Sequence, residues 1–396
     1  MPDEPRQPDS PRALEANFGS STPYSLGVEE EFQLVDADTL ELVAGIEPVL
    51  EAFPDQALLR RVKPELLQSF VEVSTRISVN VEEAVTDLVD LRGRLGHAAA
   101  DNGAVIASAG THPLSRYDHQ EVTERPRYTK LAERFGWLVA RQMVFGLHIH
   151  VGVSSAAKAI ACANGLRRHL PELLALSANS PFWQGRQTGL ASTRALVVQD
   201  LPRTGLPPAF DSYRDFELLV TQGVETGCFP DYTHLWWDIR PHPKLGTVEV
   251  RICDAQTRIE NVAAIAALVQ SLTAKLGSDF ECGETADAPP EVLLEENKWR
   301  ATRDGLAARL IDLDERTERP ASIAIRALVD SCAPAADALG CAEELSLVLQ
   351  ILARGNGADE QRRLYEETGE LSDVTRWLTE QTASHLTVTH PQPALL

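Results

Sequence analysis

Three stretches of the chain alternate apolar and polar residues with a period of two. In Leu26–Asp36 the apolar positions are Leu26, Val28, Phe32 and Leu34. Glu29 and Glu31 share the opposite face, and Glu30 falls among the apolar positions. Over 143–153, Met143, Phe145, Leu147, Ile149, Val151 and Val153 form one face, while His148 and His150 share the other with Gly146 and Gly152. Over 246–253, Val248, Val250 and Ile252 oppose Glu249, Arg251 and Cys253. Alternation of this kind predicts half-buried strands. A fourth strand is predicted over 70–79, rich in β-branched residues, with Glu72, Ser74 and Arg76 facing one way. Before it, Pro64 is expected to open a helical turn that carries Glu65. The small apolar run 104–109 predicts a buried strand, and 235–240 an aromatic one.

The rest of the pattern is helical. Asn80 with Glu83 reads as a capping box, opening a helix with Val81, Val85, Leu88, Leu91 and Leu95 on one face. A helix is predicted over 156–177 and a shorter one over 213–221. Thr257 with Glu260 reads as a second capping box, opening a long apolar helix to about residue 276. Helical segments follow over about 291–313, 321–332, 334–354, 360–367 and 372–382. The stretch 179–194 is too rich in Gly, Pro and hydroxyl residues for a regular element. The expected organisation is a disordered leader over 1–23, one folded unit over 24–383 with a helical lobe from about 291, and a flexible tail over 384–396.

Composition narrows the classes. The chain has 396 residues, 43% hydrophobic and 24% charged, which is ordinary for a globular protein with a large core. No apolar run reads as long enough to cross a membrane, and the leader lacks the apolar segment of a signal peptide. The formal charge of −21, from 37 basic and 58 acidic residues, argues against nucleic acid or an anionic membrane as partner. It leaves room for an anionic small molecule, which a few local arginines and a metal can attract. The six cysteines, Cys162, Cys228, Cys253, Cys282, Cys332 and Cys341, have no C-x-x-C or zinc spacing and read as buried thiols of a reducing cytoplasm.

Three strands each carry two chemistry-bearing residues at i and i+2: Glu29/Glu31, His148/His150 and Glu249/Arg251; Glu72 adds to them from a fourth. Each pair alone has a plainer reading: an exposed strand face, a hydrogen-bonded structural pair, a cross-strand ion pair. The Trp236-Trp237 pair reads as core or interface packing, with a homodimer as the assembly it suggests. Together in one antiparallel sheet, the three pairs devote a face to charge, where an unpaired buried charge costs on the order of several kcal/mol. Mg²⁺ fits such a face, with Mn²⁺ as the alternative, because it is hard, takes carboxylate oxygens and shares its shell with nucleotide phosphates. Arg251 then supplies a planar fork for a transferring phosphoryl group. No Walker motif is present. Two rival classes fit the same residues: a metallohydrolase using His148, His150 and Glu249 on Zn²⁺ or Mn²⁺, and a binding protein that holds nucleotide or metal without turnover.

Four long motifs carry a family resemblance: Gly27–Phe32 (GVEEEF), Gly146–Gly152 (GLHIHVG), 180–192 (SPFWQGRQTGLAS) and 236–251 (WWDIRPHPKLGTVEVR). In this order they resemble the type 2 glutamate–cysteine ligases, carboxylate–amine ligases of the glutamine synthetase-like superfamily. The resemblance implies an α+β fold: a curved, mostly antiparallel sheet with an active-site concave face, helices on its outer side and a helical C-terminal region. It implies an ATP- and Mg²⁺-dependent enzyme acting on small molecules, an amino acid and an amine. Glutamate would become an acyl phosphate and cysteine would displace phosphate, giving γ-glutamylcysteine; an acceptor other than cysteine stays open. By motif, Glu29, Glu31, Glu65, Glu72, His148 and Glu249 correspond to the metal and phosphate site. Arg251, Glu249 and Arg194 correspond to catalytic positions, and Arg251, His150 and Arg240 to nucleotide or substrate contacts. Trp183, Arg186, Thr188 and Arg194 correspond to the lining of the amino-acid pocket.

Overall fold

The computed structural model describes residues 14, 16–53, 56–284 and 288–384. Most of the expected leader and tail, 1–13, 15 and 385–396, lies outside them. Its organising element is a seven-stranded sheet built from β1 (Leu26–Asp36), β2 (Val62–Pro64), β3 (Phe70–Ser74), β4 (Ala104–Ala107), β5 (Gly146–Gly152), β6 (Ile239–His242) and β7 (Thr247–Asp254). The strand order is β6-β7-β5-β1-β3-β2, with β4 paired to the far end of β1, and every pairing is antiparallel. The period-two alternation sets the two faces. Val28, Phe32, Ile149, Val151, Val248 and Val250 turn to a buried core, and the carboxylates and imidazoles turn to the other side. The expected α+β arrangement is thus the one observed.

Helices cover the apolar face. α1 (Val81–Ala100) lays Leu88, Leu91 and Leu95 against it, and α4 (Ile259–Glu281) runs through the centre. Around α4 pack α1, α2 (Ala156–Arg167), α5 (Ala321–Leu339) and α6 (Ala342–Arg354); α3 is Leu170–Ser177. By length and composition α4 could span a bilayer, contrary to the sequence expectation, but 83% of its apolar window is buried in this core. Ile325 and Val348, from beyond residue 291, share one hydrophobic cluster with the sheet residues.

Several local expectations are revised. Pro64 ends an edge strand instead of opening a helical turn, since nothing pairs with β2 on its outer side and the missing N–H costs no ladder bond. The predicted 156–177 helix is two helices, broken at Arg168–His169. Thr257 does not cap α4: its hydroxyl donates to Ser108 O at 2.7 Å and accepts from Asn179 Nδ2 at 3.1 Å, and Arg258 is the N-cap residue. Asn80 does cap α1, accepting from Glu83 N at 2.9 Å, while the Glu83 carboxylate accepts from Val79 N and not from Asn80 N. Pro334 lies inside α5 rather than opening a new helix. Of the expected leader, Asn17 and Gly19 donate backbone hydrogen bonds to Pro243 O and Val153 O, both at 2.9 Å, so this part is docked on the sheet's end. Four cysteines are buried as expected, whereas Cys228 and Cys282 are exposed.

Glu30, the odd acid among apolar positions, is explained on the buried face. Arg92 of α1 reaches it with two guanidinium nitrogens, at 3.0 and 2.5 Å. The same guanidinium donates to Thr257 O at 3.1 Å and Gln256 O at 3.0 Å. Both side chains are 1% exposed, so each charge depends on the other for solvation. The pair ties β1, α1 and the start of α4 together directly behind Glu29 and Glu31. Arg92→Leu is therefore expected to cost about 3–5 kcal/mol, because it strands the Glu30 charge. The double variant Arg92→Leu/Glu30→Leu should recover part of that loss. Urea unfolding of the three proteins checks this, and equal stabilities for wild type and Arg92→Leu would contradict it.

Candidate active site

The sheet register converts scattered motifs into one surface. Across β2, β3 and β1, Lys63 stands opposite Glu72 and Glu72 opposite Glu31. Across β3, β1 and β5, Ser74 stands opposite Glu29 and Glu29 opposite His148. Across β1, β5, β7 and β6, Gly27, His150, Glu249 and Arg240 form a third row. Between Val250 and Cys253 the β7–β5 register shifts, giving β7 one extra residue. That bulge lies beside His148, and on the other edge of β7 Arg251 N continues the β6–β7 ladder by donating to Asp238 O at 2.8 Å.

The side chains converge as their rows predict. Ligand atoms of Glu29, His148 and Glu249 lie within 4.8 Å of one another, and so do those of Glu31, Glu72 and His148. His148 belongs to both groups. Glu29 Oε2 lies 3.5 Å from His148 Nδ1 and 3.6 Å from His150 Nε2. Glu249 is held by Arg240, whose Nε donates at 2.9 Å, and by a short contact from Arg251. Glu31 accepts from Gly146 N at 2.5 Å, and Lys63 Nζ donates to Glu72 at 2.9 Å. A Cβ on Gly146 would fall 2.4 Å from the Arg194 guanidinium and 3.0 Å from His148 Nε2, so only glycine fits that approach.

The electrostatics divide the carboxylates into two kinds. Burial raises the Glu29 carboxyl, but hydrogen bonds from His148 and His150 outweigh it and hold the group well below its usual value. Glu249 is likewise held well below, with Arg240 and Arg251 overcoming burial. Glu65 and Glu72 go the other way. Burial and the neighbouring Glu72 and Glu31 push Glu65 up to about 8. Burial and Glu29 push Glu72 up to about 7, against the pull of Lys63. Burial and Arg251 lower His148. Crowded carboxylates that titrate this high signal a deficit of positive charge, and hard oxygen donors around one imidazole fit a divalent cation such as Mg²⁺ or Mn²⁺.

Two cavities open on this face. One, of about 1000 Å³, is bordered by Glu31, Glu65, His148 and Arg251 and walled by Tyr128, Trp236 and other apolar residues. The other, of about 830 Å³, is bordered by Glu29, His150, Lys63, Arg60 and Arg61. The expected metal-site residues, with His150, Arg240 and Arg251, are all brought together. Arg194 borders the first cavity with them, and it also donates to Ile252 O and Arg251 O, both at 3.1 Å, which ties it to the bulge that carries Arg251. Trp183, Arg186 and Thr188 do not border the cavity. Trp183 packs against Tyr117, with ring centroids 6.5 Å apart, and Arg186 is exposed on the short hairpin that carries both. Thr188 hydrogen-bonds within its own loop, to Pro181 O and Thr193.

That loop serves a residue not singled out from the sequence. Asp254, fully buried at the end of β7, accepts from Asn179 N, Ser180 Oγ and Ser192 Oγ at 2.7–2.9 Å. The hydroxyl-rich 179–194 stretch is thus wrapped on one carboxylate, and through Arg194 it supports Arg251. The alternation over 246–253 stopped one residue short of this acid; the surplus of hydroxyls was the signal available. Lys63, Arg127 and Tyr128 were also missed, because their segments carry no long motif.

The geometry has counterparts. A family model described as Glutamate-cysteine ligase family 2 (GCS2) matches residues 25–377. "Putative glutamate--cysteine ligase 2-1" of Rubrobacter xylanophilus is 46% identical over 371 residues, covering 93% of this chain and 97% of the relative. A similarly named protein of Sorangium cellulosum is 41% identical over 361 residues, 91% of this chain and 96% of the relative. Among solved structures, the glutamate–cysteine ligase of Francisella tularensis in complex with AMP aligns with TM-score 0.66 at 15% identity, over 93% of this chain and 91% of that one. A bifunctional glutathione synthetase from Pasteurella multocida aligns with TM-score 0.69 at 14% identity, over 92% of this chain and 52% of that one. At these identities the two structures establish a shared fold.

The raised carboxyls make a signed prediction. Their folded values, about 8 and about 7, exceed the ordinary 4.5, so the metal-free fold is favoured by their protonation. That contribution is complete below the unfolded value and is lost as pH rises through 7 to 8. A bound divalent cation removes the penalty. Mg²⁺ should therefore raise the melting temperature more at about pH 8.5 than at about pH 6. Thermal unfolding with and without Mg²⁺ at both pH values is the check; a shift that is equal at the two, or absent, would contradict it.

Proposed function

The chain belongs to glutamate–cysteine ligase family 2, and from that premise we propose that it joins L-glutamate to L-cysteine with ATP, giving γ-glutamylcysteine, ADP and phosphate. The class is that of a glutamate–cysteine ligase-like enzyme, an ATP-dependent ligase forming a C–N bond. The observation that carries the reading is the pair of carboxylate–histidine groups sharing His148, with Arg251 beside them at the floor of an open cavity.

Glu29, Glu31, Glu72 and His148, with Glu65 and Glu249 beside them, would hold Mg²⁺. Bound there, the metal would offset the triphosphate's charge and the leaving group's as it develops. The cavity bordered by Lys63, Arg60 and Arg61 suits the nucleotide, because its cations face Glu29 and His150 rather than the amino-acid side. The cavity bordered by Glu31, Glu65 and Arg251 suits the two organic substrates.

The chemistry then runs in two balanced steps. A γ-carboxylate oxygen of glutamate attacks the γ-phosphorus of ATP, the bond to the bridging oxygen breaks, and ADP leaves. The product is an acyl phosphate. The amine nitrogen attacks its carbonyl carbon, the C–O bond to phosphate breaks, and the nitrogen gives up one proton. Arg251 is held at one nitrogen by Glu249, and its remaining donors can fork onto the transferring phosphoryl oxygens. Arg240 neutralises Glu249 from the far side, which leaves Arg251 charge to spare for substrate. Arg194 positions Arg251 through its backbone and, bordering the same cavity, is also placed to meet the organic substrates.

Purified protein with ATP, Mg²⁺, glutamate and cysteine should release ADP only when both organic substrates are present. No ADP with glutamate and any of a panel of amines would contradict the reading. Arg251→Lys keeps the charge but loses the fork, so kcat should fall on the order of 10²–10³-fold. Circular dichroism should show the fold retained. An Arg251→Lys enzyme with wild-type kcat would remove Arg251 from the transfer step.

A further inference from the structure

Beside the substrate cavity lies a second, basic recess that the reaction scheme does not use. Its rim is the exposed helix Pro126–Phe135, which has no buried residue and carries Arg127, Lys130 and Arg134. Arg127 and Leu131 border both spaces, so the recess, of about 1120 Å³, is an annex of the substrate cavity on its solvent side. From the inner wall comes Arg203, at a left-handed φ of 65°. Its guanidinium sits between three rings, 5.7 Å from Phe135, 5.6 Å from Phe229 and 5.5 Å from Trp236. Nε donates to His234 O at 3.2 Å, while one terminal nitrogen is buried with no partner.

In a chain of net charge −21, four cations gather here. Among the described residues none of the four forms an ion pair, and the one acid lining the recess, Asp231, is engaged by Thr233 and His234. Burial, with Arg134 nearby, already works against the charge of Arg203. Arg134 already donates to Gly227 O and Cys228 O, and Arg127 acts at longer range on Glu65; like charges gathered without an ion pair of their own still make the recess attractive to an anion. A single carboxylate would balance one of the four; a dianion balances two and can accept from several donors at once.

We propose that the annex binds a dianionic group, a phosphate monoester or a dicarboxylate end, carried by the amine acceptor. This rests on the ligase reading above. We assign the acceptor as the partner because in this scheme it attacks last, and the annex adjoins the substrate cavity at Arg127 and Leu131. The Arg203 guanidinium is already packed by three rings, so the annex offers charge rather than a free stacking face.

The test compares ethanolamine, phosphoethanolamine and aspartate as acceptors by ADP release, for wild type, Arg203→Gln and Lys130→Gln. Lys130 is exposed on the helix rim, so its variant separates charge loss from misfolding. The dianionic acceptors should be preferred over ethanolamine in kcat/KM. Each substitution should reduce that preference about tenfold, the scale of one charge-assisted hydrogen bond. Phosphoethanolamine against aspartate tells which dianion is taken. No preference, or one indifferent to both substitutions, overturns the inference while leaving the ligase reading in place. If no acceptor gives ADP, calorimetric titration with inorganic phosphate and with phosphoethanolamine decides. Binding weakened by Lys130→Gln upholds the annex and places the failure on the ligase reading; no binding overturns the annex.

Discussion

Like-charge repulsion on one sheet face is the constraint around which this molecule is arranged. Glu29, Glu31, Glu65, Glu72 and Glu249 are aimed at a common space. Coulomb repulsion between neighbouring carboxylates in a partly desolvated site is worth several kcal/mol at an effective dielectric near 20, as an order of magnitude. The fold answers it unevenly. Glu249 receives two arginines and Glu29 two imidazoles, so these stay ionised. Glu72 has Lys63 and Glu65 has the pull of Arg127, and their proton affinity rises instead. What remains is a defined shortage of positive charge on a face whose carboxylates border both cavities.

Both faces of the sheet contribute to holding that arrangement. Behind the carboxylates, the Arg92–Glu30 pair fastens β1 to α1 and to the start of α4. Beside them, the β7 bulge sets Arg251 one residue out of register, and Arg194 and Asp254 lock it there. The loop over 179–194 is therefore best understood as a brace. Ser180 and Ser192 converge on Asp254, and Arg194 at its end reaches both the backbone of Ile252 and Arg251 and the border of the first cavity.

Much of this could be read from the sequence, because period-two alternation encodes which side chains share a face. The pairs Glu29/Glu31, His148/His150 and Glu249/Arg251 needed only correct strand pairing to meet. What alternation does not encode is register. The bulge opposite His148, the Lys63–Glu72 pairing and the position of Pro64 on an edge strand follow from how strands slide against one another. Thr257 was misread as a cap because the partners that engage its hydroxyl, Ser108 O and Asn179 Nδ2, are 149 and 78 residues away. Trp183, Arg186 and Thr188 belong to a motif of the family, yet none of them borders the cavity; Trp183 packs with Leu66 and Phe70, which do. The basic annex was invisible for a related reason: Arg127 and Arg134 lie on one exposed helix with no buried residue, and Arg203 joins them from a separate, irregular segment.

The central claim is that the charge shortage on this face is a cation site joining the two cavities. Diffraction from crystals soaked in Mn²⁺, with data taken at the manganese edge, tests it most directly. The account predicts at least one anomalous peak coordinated by carboxylate oxygens from both β1 and β3, with His148 in the shell. Peaks confined to other surfaces, or ordered Mn²⁺ nowhere between Glu29, Glu31, Glu72 and His148, would contradict it.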